Sequence, residues 1–216
     1  MASQIGRPLK NKNFPVTLCV IIFCVILASF FPTSNAIENI SRSILFLVIL
    51  PVLYIKIILK ENLSAYGWNL GKKNLGTILS SIFLVASLAF FYLLLHSTPF
   101  SSHYSVNPLI SRSFLIFLFY ELVLFNIIFF SQTFFFQGFL LFFLSSTGAW
   151  SIFIQAAAYT LLILISGQLS WQIFPFIYLS LIGGLLSYKT RSFAYSYIFG
   201  LLFIIILDSY VIHLAK

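Results

Sequence analysis

The chain has 216 residues, 61% hydrophobic and 7% charged, with a mean hydropathy of +1.06 and a formal charge of +8. Soluble domains average about 45–50% apolar and about 25% charged residues, so a soluble globule is excluded. Its 12 basic residues are scattered through short loops, a pattern that fits membrane topology and anionic headgroups and argues against a nucleic-acid surface.

Apolar runs recur from end to end at lengths suited to helices crossing a hydrocarbon core of about 30 Å. The ten-residue alternation of a β-barrel is missing. The expected fold is all-α: a polytopic transmembrane helix bundle forming one integral membrane domain over residues 1–216. Seven spans are predicted, at 14–31, 44–59, 75–95, 113–144, 150–165, 172–187 and 193–212.

At the N-terminus, Arg7, Lys10 and Lys12 precede an apolar run, and Ser34-Asn35-Ala36 imitates a signal cleavage site. The run Phe14–Phe31 exceeds the ~7–15 residues usual for a cleavable signal and reads as a retained first span. Cys19 and Cys24 lie within it. Their axial separation of ~7.5 Å is too great for a disulfide, so both read as packing residues. The short second span carries Pro51, where a kink is expected.

Between spans two and three, Lys60–Asn74 mixes Lys, Trp, Tyr and Leu and reads as a segment resting at the headgroups. The next connection, His96–Arg112, holds Pro99, Pro108 and several serines, and is expected outside the bilayer. His96, His103 and His213 fall in loops or at a terminus, too dispersed for a metal site of three or four convergent ligands. No nucleotide-binding loop, zinc-type cysteine pair or serine elbow is present. No cofactor and no metal are expected.

The fourth segment is overlong, about 45 Å over Leu115–Leu144. It carries one acid, Glu121, and a polar interruption at Ser131-Gln132-Thr133 and Gln137-Gly138. If it is one span and the N-terminus is cytoplasmic, Arg7, Lys10, Lys12, Lys56, Lys60, Lys72, Lys73, Lys189 and Arg191 lie inside, against Arg42, Arg112 and Lys216 outside. Nine against three is a strong positive-inside bias. Dividing the segment would give eight spans and seven against five. The 27 phenylalanines read as lipid-facing filler.

From Gln132 onward the text has a familiar cadence. Gln132-Thr133-Phe134-Phe135-Phe136-Gln137 is followed by Gly138-Phe139-Leu140-Leu141; Gly148 and Trp150 lead to Tyr159–Ile163; then come Gly184-Leu185-Leu186-Ser187-Tyr188-Lys189-Thr190-Arg191-Ser192-Phe193 and Gly200–Ile204. This resembles the CPBP family of intramembrane proteases, the group of the CAAX prenyl endopeptidases and bacterial abortive-infection proteins. Their motifs run Glu-Glu-x-x-x-Arg, Phe-x-x-x-His and His-x-x-x-Asn. Here the two glutamates are Gln132 and Thr133, the arginine is Gln137, the histidines are Ile163 and Gly200, and the asparagine is Ile204.

The resemblance implies a site where Gln132, Ile163 and Gly200 converge, at depths of about 18, 20 and 10 Å from one face. It also implies an intramembrane endopeptidase whose reactive groups are gone. A carboxamide or a methyl group does not titrate near neutrality and cannot serve as a general base. The expected function is a catalytically inactive membrane binding or scaffold protein, a pseudoprotease, whose partners are the bilayer and another membrane protein or a lipidated peptide. The alternatives are an active CAAX-type endopeptidase with displaced catalytic residues and a small proton-coupled transporter using Glu121.

Glu121 is the candidate for displaced chemistry. At 11 positions before Gln132 it is expected on the same helix face some 16 Å away, near mid-membrane. An ionised carboxylate there costs several kcal/mol. It is expected to lock helices together through Asn126, Gln155 or a tyrosine, or else to carry protons or a ligand. Asp208, near a span end, is expected to be interfacial.

Overall fold

The computed structural model describes residues 14–71, 73–104, 113–166 and 171–214, without the side chains of Ser101 and Ser102. Arg7, Lys10, Lys12, Lys72, Pro108, Arg112 and Lys216, which entered the topology argument, lie outside the described residues. The described chain is helical without strands, as its apolar runs require.

Seven main helices follow one another: α1 (Phe14–Phe30), α2 (Ala36–Leu59), α3 (Lys73–Ser97), α4 (Phe114–Thr147), α5 (Trp150–Ile165), α6 (Trp171–Thr190) and α7 (Phe193–Leu214). Five of them, α2, α3, α4, α6 and α7, are long and apolar enough to cross a membrane. That marks a multi-pass membrane protein. At 17 and 16 residues, α1 and α5 are shorter, about 25 Å each.

Local chemistry sets the helix ends. The Ser34–Ala36 stretch that imitates a cleavage site forms the cap of α2. Asn35 Oδ1 accepts the Glu38 N–H at 2.9 Å, while the Glu38 carboxylate accepts the Ser34 N–H at 2.7 Å. This reciprocal pairing satisfies amides that the first helical turn leaves without partners. Wide turns with i→i+5 bonding, Leu45–Ile49 and Tyr54–Leu59, lie on either side of Pro51. Proline has no N–H to give and crowds the preceding turn, and widened turns relieve both faults.

α4 is the axle. At 34 residues, about 50 Å, it meets α2, α5, α6 and α7. On one side, α1, α2, α5 and the second half of α4 form a core around Leu47, Ile55, Phe135 and Phe139. On the other, α3, α6 and α7 close around Phe91, Phe199 and Phe203, with Phe129 of α4 added.

The reading of the phenylalanines as lipid-facing filler holds for those on outer faces, such as Phe23, Phe30 and Phe114, and is corrected for the run in α4. Phe134, Phe135, Phe136, Phe139, Phe142 and Phe143 are all buried, whereas lipid-type exposure falls on residues such as Phe30, Val85 and Leu115. Lipid tails are as apolar as the side chains, so helices in a bilayer gain little by hiding greasy surface and associate through close packing instead. Interlocked rings supply that packing. Phe139 meets the rings of Tyr54 at 6.4 Å and Tyr66 at 5.5 Å, and Phe143 stacks on Phe14 at 5.0 Å.

The segment after α2 docks on the bundle at the end where α1 begins. Trp68 sets its edge against Phe130, Phe134 and Phe193 at 5.9, 5.3 and 5.5 Å. Phe193 donates its N–H to the Gly67 carbonyl at 3.3 Å, and the Ser192 hydroxyl donates to the Asn69 carbonyl. The Tyr66 phenol donates to Glu61 at 2.7 Å. Burial, and then that carboxylate, hold the phenol above its ordinary range. Gly71 has φ +46°, and a Cβ there would strike the Thr190 carbonyl. Only glycine meets both demands.

At the opposite end, the start of the α3–α4 connection folds back into the bundle. Phe100 and Tyr104 are both 5% exposed, and Phe100 packs on Phe91 at 6.1 Å. Phe100 and Tyr104 thus join the core, while the rest of this connection, 105–112, lies outside the described residues.

Candidate functional site

The polar interruption of α4 opens onto a small cavity lined by Phe129, Gln132, Thr133, Phe136, Gln137, Tyr159, Phe176, Leu179 and Ser180. It has room for no more than about one water molecule. Three of the motif positions, Gln132, Thr133 and Gln137, meet there. The other three do not line it. Gly200 stands behind Phe129, whose ring a Cβ at 200 would strike. Ile163 is buried in the α1–α2–α5 core and Ile204 in the α3–α6–α7 core.

Each glutamine of this region clasps a neighbouring helix. Tyr159 of α5 donates its hydroxyl to Gln132 Oε1 at 3.2 Å. Gln137 donates to the Leu179 carbonyl of α6 at 3.4 Å and accepts the Ser196 hydroxyl of α7. Gln155, fully buried, donates to the Ser180 carbonyl at 2.7 Å and accepts the Ser180 hydroxyl at 3.4 Å. Asn126 accepts the Tyr197 hydroxyl and donates to the Leu122 carbonyl at 3.1 Å. A carboxamide both donates and accepts, so it bridges two helices without needing a charge.

α6 makes room for these clasps. A Cβ on Gly183 would collide with Ser196 and Gln137, and one on Gly184 with Gln155. Ser180, Gly183, Gly184 and Ser187 fall at helical i, i+3, i+4, i+7 spacing, a small-residue face that admits close approach. That spacing is present in the sequence but was not singled out there. The partners Tyr159, Ser180, Ser196 and Tyr197 were not singled out there, because an isolated hydroxyl in an apolar run carries no signal of its own.

Glu121 lies elsewhere, in a wide turn, Tyr120–Phe125. A widened turn holds more residues than the regular 3.6, which displaces every face downstream and spoils the shared face with Gln132. Glu121 is 2% exposed and its carboxyl is the electrostatic neighbour of Asp208. Asp208 is 9% exposed and accepts the Tyr104 hydroxyl at 2.6 Å. Two readings are thereby corrected. Asp208 is a core residue rather than an interfacial one, because the α3–α4 connection folds over it. Of the partners expected for Glu121, Asn126 and Gln155 bond elsewhere, and its neighbours are Asp208 and the tyrosines Tyr104 and Tyr120.

The cavity lining contains no carboxylate and no imidazole. Among the described residues no three His, Cys, Asp or Glu side chains converge in a way that could hold a metal. What the site does chemically is hydrogen-bond. No family model, curated protein or solved structure matches the chain.

The Gln137–Ser196 clasp is open to a double-mutant cycle with Gln137→Leu and Ser196→Ala, read by thermal unfolding in detergent. The expected coupling is about 0.6–2 kcal/mol, the range for hydrogen bonds between membrane helices. Additive effects would deny the clasp an energetic role.

Proposed function

We propose that this multi-pass membrane protein is a non-catalytic binding or scaffold protein, a degenerate relative of the CPBP proteases that engages another membrane protein or a lipidated peptide. One observation carries the reading: where that family would place its reactive groups, Gln132, Thr133 and Gln137 line a cavity with room for about one water, and the two glutamines are used up in holding α5, α6 and α7. Hydrolysis needs a group that takes a proton from water within hydrogen-bond reach. Tyr159, the titratable member of the lining, already donates its hydroxyl hydrogen bond to Gln132. The cavity is also too small to admit a peptide, so binding falls to the outer helix surfaces.

A second reading, a proton-coupled carrier, draws on the buried Glu121–Asp208 pair. It requires a polar path past these acids, and proton-dependent flux in proteoliposomes would favour it over the scaffold.

The test incubates purified protein in lipid nanodiscs with prenylated and transmembrane peptides. Saturable binding without cleavage is expected. Cleavage lost on Gln132→Ala or Glu121→Gln would overturn the inactive reading, and neither binding nor cleavage would overturn the binding role.

The same reading takes all seven helices as crossings with the N-terminus cytoplasmic. It is supported by the nine-against-three partition of basic residues and by the alternation of helix ends. Impermeant-reagent labelling of cysteines placed at Asn35 and at Lys189 should mark only the first from outside the cell. Labelling of both from outside would refute the count.

A further inference from the structure

Four acidic residues are present in the whole chain. Glu38 caps α2 and Glu61 binds Tyr66. The remaining two lie together in the bundle, Glu121 about 10 Å along α4 and Asp208 about 9 Å from the end of α7, by the rise of a helix. Both distances run from the end of the bundle where α3 leads into α4. Tyr104 closes the group from that connection, its hydroxyl committed to Asp208 Oδ1 at 2.6 Å.

Within this group one oxygen lacks a hydrogen-bond donor. Glu121 Oε2 is buried and has no partner, although the residue is 2% exposed. Among the described residues, the titratable groups around the pair bring no charge to balance it. Tyr120 from α4 and Tyr104 from the connection are phenols in electrostatic reach. His96 of α3, which hydrogen-bonds Tyr210 of α7 at 3.3 Å, is exposed, as are His103 and His213. Among the described residues neither acid forms an ion pair with a basic side chain.

Two carboxylates in one buried pocket repel each other and lack the solvation that water would provide. A metal ion is ill suited to relieve them, since the donor set stops at two carboxyls and a phenol. A proton suffices. Placed on either carboxyl it removes one charge and supplies the missing donor for the facing oxygen.

We propose that Glu121 and Asp208 form a buried proton-binding site between α4 and α7, holding one proton between the two carboxyls with Tyr104 as a fixed donor. Glu121 lies in the first turns of α4 and its neighbour Asp208 in the last turns of α7, so the proton joins the two helices there. Loss of that proton puts two negative charges across the contact. The site stands independently of both readings of function above.

Infrared difference spectroscopy tests it on the full chain in lipid nanodiscs. With four side-chain carboxyls in the sequence, and Glu38 and Glu61 hydrogen-bonded elsewhere, the spectrum is simple. A protonated-carboxyl stretching band is expected at neutral pH. It should shift in D2O, move in frequency in Tyr104→Phe, and disappear in Glu121→Gln and in Asp208→Asn. Should either amide variant fail to fold, the wild-type D2O shift and the Tyr104→Phe change still decide. A wild-type protein with no such band at neutral pH, or a band that survives both amide substitutions, would overturn the proposal.

Discussion

Close packing around α4 is the constraint from which the rest of the structure follows. In hydrocarbon no water waits to be released, so helices hold together only where side chains interlock or polar groups find each other. α4 supplies both. Its run from Phe134 to Leu144 is buried on every residue, surrounded by α1, α2, α5, α6 and the docked segment around Tyr66. Each ring pair adds about 0.5–1.5 kcal/mol beyond its contact area. The polar residues within and beside this run then have no lipid-facing option, and each must reach a neighbouring helix.

That necessity explains why glutamine is a workable choice here. An unpaired carboxamide in the bilayer core costs several kcal/mol, but a paired one costs little and fixes which helices are neighbours. Gln132, Gln137 and Gln155 assign α5, α6 and α7 their places, and the Gly183–Gly184 notch on α6 lets two of the three approach. Gln132 and Gln137 therefore hold the assembly together. The two acids follow the same rule at the other end of the bundle, where Tyr104 and Asp208 give Glu121 its surroundings.

Helical segments were legible in the sequence because apolar runs of membrane length have one stable backbone solution. The polar middle of α4 was legible for the same reason. Other features were hidden. A phenylalanine is equally at home against lipid or against another helix, so the burial of Phe134–Phe143 could be read only from the fold. Distance from a span end misplaced Asp208, since the return of Phe100 and Tyr104 into the bundle is a tertiary event. The wide turn at Glu121 has no sequence signature, and a face drawn at the regular 3.6 residues per turn joined it wrongly to Gln132.

A sealed packing seam and a water-filled catalytic chamber beside Gln132 differ in one measurable property, access to water. The most direct measurement is the reactivity of a cysteine placed at Thr133, with Cys19 and Cys24 replaced by alanine, toward a small water-soluble thiol reagent in native membranes. A sealed seam predicts no reaction on the timescale at which a cysteine at Ser145 is fully modified. Modification of the two at comparable rates would show water beside Gln132 and contradict the account.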